Sequence, residues 1–171
     1  MISPEVWIIS QRPYKMAKSF STYSVNGCNF HTYSYGAGRA TQCFGVSVIA
    51  KTSSYSSVND RNPTSGEVTY YGRIIDIVEL NYVNEGDVVL FKCEWVTKTG
   101  VRDLEPFGIR QVNFNHVEKT EDINSEPFIL ASQAKQVYYL EDPVEKDWHA
   151  VVCPTIRDYY DMQPAIDDYD C

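Results

Sequence analysis

No hydrophobic run in this chain approaches the roughly 18 residues that a membrane-spanning helix needs. Alanine and leucine are sparse for a chain of 171 residues, so there is little raw material for long amphipathic helices. Basic residues are also short. Lys and Arg total 15 against 23 Asp and Glu, for a net charge of -8. That balance argues against a broad polyanion-binding surface, because phosphate contacts need clustered Lys and Arg. The charge is uneven: residues 1–50 carry a net +3, residues 51–120 a net -2 and residues 121–171 a net -9. The mildly basic first stretch can still make a local contact, and Arg12, Lys15, Lys18 and Arg39 are its cations.

The five cysteines (Cys28, Cys43, Cys93, Cys153 and Cys171) show no CxxC spacing and are odd in number. No glycosylation sequon without proline occurs. The opening Met1-Ile2-Ser3-Pro4-Glu5 lacks the basic start of a signal peptide, and Val6 to Ile9 is too short an apolar core for one. The expectation is an intracellular chain with free thiols and no membrane segment.

What is abundant is aromatic: 13 tyrosines, 7 phenylalanines and 3 tryptophans. With alanine and leucine low, this composition favours strands. The best-patterned stretch is Tyr70 to Val96, YYGRIIDIVELNYVNEGDVVLFKCEWV. In its second half Val89, Phe91, Cys93 and Trp95 alternate with Lys92 and Glu94, the period of a half-buried strand. The first half, Arg73 to Leu80, is less clean, because Ile74, Ile77 and Val78 also suit a helical stripe. Its β-branched content and short length favour a strand. Asn84-Glu85-Gly86-Asp87 supplies the turn, so the pair reads as a hairpin.

Along the rest of the chain, residues 1–22 form a lead-in broken by Pro4 and Pro13, with Val6 to Ile9 as a candidate short strand. Asn26-Gly27 between two apolar runs marks a tight hairpin turn. Ser34 to Thr41 reads as a loop, Phe44 to Val48 as a strand and Thr52 to Gly66 as an exposed loop. Thr97 to Gly108 is polar, Ile109 to Val117 resumes strand character, and Glu118 to Glu126 is an acidic loop. Phe128 to Leu130, one helical turn over Ala131 to Gln136, and strands at Val137 to Leu140 and Trp148 to Cys153 follow. The domain runs over residues 23–162, its core over 70–153, and residues 163–171 form an acidic tail. The fold expected is mainly β, a small barrel or a strongly curved antiparallel sheet, with long loops and little helix.

No catalytic motif emerges. His31, His116 and His149 are not in metal-ligand spacing. Ser132 lies outside any Gly-x-Ser-x-Gly elbow. Gly36-Ala37-Gly38 lacks the further glycines of a phosphate loop. Asp76 and Glu79 sit where solvent exposure on a strand explains them. The reading is therefore a non-enzyme without metal or cofactor. Tyr70, Tyr71, Phe91, Trp95, Tyr138 and Tyr139 all fall on expected strands, where some can line a groove that attracts cations such as methylated lysine.

Several ordered motifs resemble the domain of unknown function near the C-terminus of plant CACTA-class (En/Spm-like) transposases. They are Tyr70-Tyr71-Gly72 running into IIDIVELNY, then VVLFKCEWV, VNF at Val112 to Phe114, EPFILASQAKQVYYLEDP, WHAVV, and RDYYDM from Arg157. VNGCNFHT and ATQCFGV are similar to the segment upstream of that domain. Ile109-Arg110-Gln111 is more polar than the residues usual before VNF. The resemblance implies a nuclear, transposon-derived module without the nuclease core, either a truncated element or a stand-alone derivative. A second similarity, to the β-barrel of bromo-adjacent homology domains, implies binding of a protein or histone tail. On that analogy Trp95 is the reader residue, with Tyr71 as companion and Tyr138 nearby. The rival expectation is a DNA-contacting accessory domain using Arg12, Lys15, Lys18 and Arg39.

Overall fold

The computed structural model describes residues 17–39, 42–54, 64–82, 86–118 and 126–154. The expected strand at Val6 to Ile9, most of the Glu118 to Glu126 loop and the acidic end from Arg157 lie outside them. The described residues are mainly β, in three antiparallel sheets. A six-stranded sheet runs β10-β4-β5-β6-β9, with β1 also paired to β5, and a four-stranded sheet runs β11-β12-β8-β7. The third is the β2–β3 hairpin. All three are open, and none closes into a barrel.

The expected hairpin is the spine. Strand β5 (Thr64–Tyr82) pairs with β6 (Gly86–Trp95) from Gly72↔Trp95 to Tyr82↔Gly86. The mixed periodicity of Arg73 to Leu80 has a physical cause. Ile74 pairs with Cys93 and Asp76 with Lys92, so Ile75 is an extra residue in a β-bulge. A bulge moves the alternation by one place. Ile74 and Ile77, three apart, are therefore both wholly buried, while Ile75 is turned outward. Asp76 accepts a hydrogen bond from the Ile77 amide beside the bulge and another from Ser19 Oγ. Ser19 belongs to β1 (Ala17–Phe20), which pairs with β5 from Phe20↔Ile77 to Ala17↔Leu80. Asp76 and Glu79 are thus engaged by β1 rather than merely solvated, since Lys18 Nζ lies 2.8 Å from Glu79 Oε1.

On the other flank, β4 (Gly45–Ser54) pairs with β5 from Gly45↔Arg73 to Ser54↔Thr64. Thr52–Ser54 and Thr64–Gly66 are strand where the sequence suggested loop, because a backbone ladder does not require apolar side chains. The Asn-Gly turn forms as expected. Asn26 and Gly27 take positive φ of 53° and 73°, and Val25 pairs with Cys28 across the two-residue loop joining β2 (Thr22–Val25) to β3 (Cys28–His31). One helical turn, α1 (Tyr33–Gly36), replaces the start of the expected loop, capped by the Thr32 hydroxyl.

The polar Thr97 to Gly108 stretch hides a strand, β7 (Val101–Leu104), paired to β8 (Ile109–Asn113). Strand β9 (Phe128–Leu130) forms one edge beyond β6. A 3-10 turn at Ala131–Gln133, the two-residue β10 (Lys135–Gln136), β11 (Tyr138–Glu141) and β12 (Trp148–Val152) complete the described chain. Gln111, buried in β8, is satisfied on both sides: Arg102 Nε donates to its Oε1, and its Nε2 donates to Asp142 Oδ2, each at 2.8 Å.

Two core clusters occupy the two faces of the large sheet. On one, Phe30, Val46, Ile74, Ile77, Phe91, Cys93 and Trp95 are buried, and the β2–β3 hairpin lies over them with Phe30 and Tyr23 against the Phe91 ring. On the other, Phe44, Tyr71, Val96, Val112, Val137 and Tyr139 join the large sheet to the small one. Two bare Cα atoms allow close approach, one between the sheets and one within the large sheet. A Cβ on Gly45 would stand 2.2 Å from the Val137 carbonyl oxygen and 2.9 Å from the Tyr139 ring of the small sheet, and one on Gly72 would meet the ring of its cross-strand neighbour Trp95 at 2.7 Å. Gly45→Ala is expected to destabilise the fold by about 2–3 kcal/mol, the scale of overpacking against backbone. Gly66→Ala, whose Cβ meets nothing within 4 Å, should change stability by less than about 0.5 kcal/mol. Urea denaturation midpoints of the two variants measure the contrast.

Candidate binding groove

Adjacent residues on a strand point to opposite faces. Trp95 pairs with Gly72, so it shares a face with Gly72 and Tyr70, while Tyr71 belongs to the other face. The packing agrees: Trp95 sits in the cluster beneath the β2–β3 hairpin and Tyr71 in the cluster shared with the small sheet. Both are buried, at 5 % and 8 % exposure. Tyr138 lies elsewhere, with its hydroxyl 3.2 Å from Gln136 Oε1. Its phenol is pushed above the ordinary value by burial and by the neighbouring Cys43 and Cys28 thiols. Trp95, Tyr71 and Tyr138 therefore do not converge on one pocket.

Trp95 nevertheless lines one. A pocket of about 320 Å³ is bounded by Val48, Tyr70, Trp95, Phe128 and Ile129, with Glu118 and Glu126 among its lining residues. The strands explain most of this set. Val48 pairs with Tyr70, and Ile129 with Phe91, so these side chains share the Trp95 face; Phe128 pairs with Lys92, has the opposite parity, and lines the pocket from the edge of the sheet. Trp95 forms a recessed wall, Tyr70 is half-buried and Phe128 is 48 % exposed. Tyr70 is the residue that sequence parity identifies as the companion of Trp95, once Trp95 is known to face Gly72. Phe128, Glu118 and Glu126 had no such signal, because they flank a segment that reads only as acidic loop.

A second pocket of about 540 Å³ shares Tyr70 and Glu118 with the first and extends to Glu67, Tyr71, Lys98 and Arg110. Between the two runs residues 67–70 of β5. They pair with β4 on one side, while pairing with β6 begins only at Gly72. Among the described residues, no strand pairs with the other side of 67–70. The Tyr71 carbonyl accepts from the Val96 amide on that side, so by alternation the Thr69 and Glu67 backbone groups face the open edge.

The charges divide into engaged and free. Arg110 is bidentate to Asp103 at 2.7 and 2.8 Å, and its Nη1 reaches the Tyr71 hydroxyl at 3.5 Å. Arg102 pairs with Glu145 at 2.9 Å and lies 3.9 Å over the Trp148 ring. Glu67, Glu118 and Glu126 have no ion-pair partner among the described residues. Lys98 is likewise without an ion pair among them, so three carboxylates stand against one ammonium and the uncompensated charge of the groove is net acidic.

Of the four cations expected to contact DNA, Arg12 and Lys15 lie outside the described residues. Lys18 is paired with Glu79, and its hydrogen bond to that carboxylate raises its pKa. Arg39 stacks 4.0 Å over the Tyr35 ring. His31, His116 and His149 stand on different segments. Among the described residues no group of three His, Cys, Asp or Glu side chains is placed to hold a metal ion. Cys93 is buried, and burial pushes its thiol well above the ordinary value.

Two carboxyls, Asp103 in the lining of the larger pocket and Asp142 just after β11, are held below the ordinary 3.8: Asp142 by the Glu145 and Val144 amides and Gln111, Asp103 by the Arg110 guanidinium. A depressed folded-state value adds stability that is complete above the unfolded value, about pH 4, and is lost as pH falls through the folded value. Asp142→Asn should therefore lower stability near neutrality and flatten its decline below about pH 4. Urea titrations of the variant and the parent across that range check the slope; equal slopes would mean that Asp142 is not a source of the acid sensitivity.

Neither the curated proteins nor the solved structures contain a significant match to this chain. Residues 78–151, from the end of β5 into β12, match the model of a family described as a domain of unknown function (DUF4216), and most of the small sheet, Trp95 and the Glu118, Glu126 and Phe128 side of the groove fall within the matched span.

Proposed function

We propose that this chain is a non-catalytic, transposon-derived interaction module that binds protein or chromatin in the nucleus, with a lysine-bearing tail of the histone type as its ligand. The observation that carries the reading is a pair of carboxylates, Glu118 and Glu126, that have no ion-pair partner among the described residues, on a pocket lined by Tyr70, Trp95 and Phe128. Aromatic faces and carboxylates both attract an ammonium group, and a methylated ammonium loses less hydration on entering such a site. The edge of β5 beside it, which no described strand covers, suits an extended peptide, which would add backbone hydrogen bonds while its alternate side chains reach the two pockets. The kinship to bromo-adjacent homology domains belongs to this proposal and rests on the order of the sequence motifs.

Tyr70→Ala is a cleaner probe than Trp95→Ala. Removing the buried Trp95 ring would cost about 3–5 kcal/mol of core packing and confuse folding with binding. Trp fluorescence titration with methylated-lysine tail peptides should give saturable binding. Tyr70→Ala and Glu118→Gln should each weaken it roughly five- to thirtyfold, the scale of one to two kcal/mol for a partly desolvated cation–aromatic contact. Peptides without effect, alongside a duplex DNA whose binding weakens steeply with salt, would replace this reading with the DNA-contacting one.

A further inference from the structure

On the opposite face of the large sheet lies a separate cavity of about 370 Å³, lined by Arg39, Gln42, Arg73, His149 and Glu141 among aromatic walls that include Tyr33 and Phe114. Arg73 precedes the bulge on β5, on the face away from Trp95. Its Nε is held by Glu94, which sits opposite it on β6. Its guanidinium carbon stands 4.2 Å from the Tyr33 ring centroid and 5.0 Å from that of Phe114. The group is thus clamped in plane by two rings and one carboxylate. No acceptor among the described residues takes its two Nη groups.

Three further groups around the cavity are also unspent. Arg39 stacks on Tyr35 but pairs with no carboxylate among the described residues. The Gln42 amide makes no side-chain hydrogen bond among them. His149 Nδ1 is sealed from solvent without a partner. Against these donors stands one carboxylate, Glu141, exposed on β11 directly across from His149. Glu94 already compensates Arg73, so the uncompensated pair is Arg39 with Glu141. The site's selectivity therefore comes from oriented donors rather than bulk charge.

We infer that this cavity binds a phosphate monoester. Two guanidiniums and an amide offer more N–H groups than the two oxygens of a carboxylate can accept, and the three terminal oxygens of a phosphate monoester match them better. Arg73, pre-oriented by Tyr33, Phe114 and Glu94, supplies the fork geometry that phosphate oxygens accept. The aromatic walls accommodate the organic group of the ester.

Isothermal titration calorimetry of the full chain tests this with phenyl phosphate, inorganic phosphate and acetate. Phenyl phosphate should bind one to one and more tightly than acetate. Arg39→Gln or Arg73→Gln should weaken it at least roughly tenfold, the worth of one charge-assisted hydrogen bond. Arg39 is exposed and contacts little, so its variant keeps the test valid if Arg73→Gln disturbs the fold; far-UV circular dichroism reports which has happened. Inorganic phosphate as tight as phenyl phosphate would assign the site to the free ion, and tighter phenyl phosphate to an ester. No saturation by about 10 mM phenyl phosphate, tenfold above a millimolar Kd, or an affinity unchanged in both variants, would overturn the inference.

Discussion

One hydrogen bond carries the meeting of the two larger sheets. Tyr139, on β11 of the small sheet, sends its hydroxyl to the Gly72 carbonyl of β5 at 2.7 Å, and its ring crosses the bare Cα of Gly45. The tyrosine is almost wholly buried, and burial pushes its phenol far above the ordinary value even though the Gly72 bond acts the other way. A buried hydroxyl without an acceptor is costly, so the two sheets are fixed in register as well as in contact. Phe44 and Phe114 pack against the same ring, with centroids at 6.5 and 4.9 Å. The position of Phe114, and through it the clamp on Arg73, depends on this joint.

The same joint explains which parts of the fold can be read from the chain. Alternation over Val89 to Trp95 identifies β6 because one face is buried and the other is not. Asn26-Gly27 identifies its hairpin because few residue pairs tolerate two positive φ values. The β5 bulge is not legible. A phase change at Ile75 is indistinguishable from helical spacing until the partner strand is known. The polar ends of β4 and β5, and β7, are invisible for a different reason: their side chains carry no periodic signal, and what makes them strands is the backbone ladder of a neighbour. Gly45 and Gly72 look like ordinary strand glycines, although a methyl group at either would collide with the fold.

Legibility of the candidate groove follows the same division. Trp95 was accessible from alternation alone, but the identity of its companion depended on register, which placed Tyr70 beside it and Tyr71 behind the sheet. Glu118, Glu126 and Phe128 come from a segment whose sequence shows only charge, and they reach the groove because β9 and the Val96↔Val117 bridge lie along the same side of β6. The polar Ile109-Arg110-Gln111 has a local cause as well. Gln111 bridges Arg102 and Asp142 within the small sheet, and Arg110 holds Asp103 beside the larger pocket. Polarity there serves a closed hydrogen-bond chain in place of apolar packing.

The two candidate sites are separated by strand geometry. Tyr70 and Arg73 are three residues apart on β5, about 10 Å along the strand, and an odd separation puts their side chains on opposite faces. The sheet between them carries Gly72, whose missing side chain admits the Trp95 ring on one face while its carbonyl receives Tyr139 from the strand paired with β12. Among the described residues, carboxylates without an ion pair lie on the Trp95 side and guanidinium donors without an acceptor on the Arg73 side, so the acidic chain as a whole gives a poor guide to either surface. Net charge governs long-range attraction, whereas a pocket reads the few groups left without partners after the fold has satisfied its own. Local pairing, set by the register of β5 against β4 and β6, decides which groups each side of this sheet leaves for a ligand, and both proposals, a cation on one side and an oxyanion on the other, rest on it.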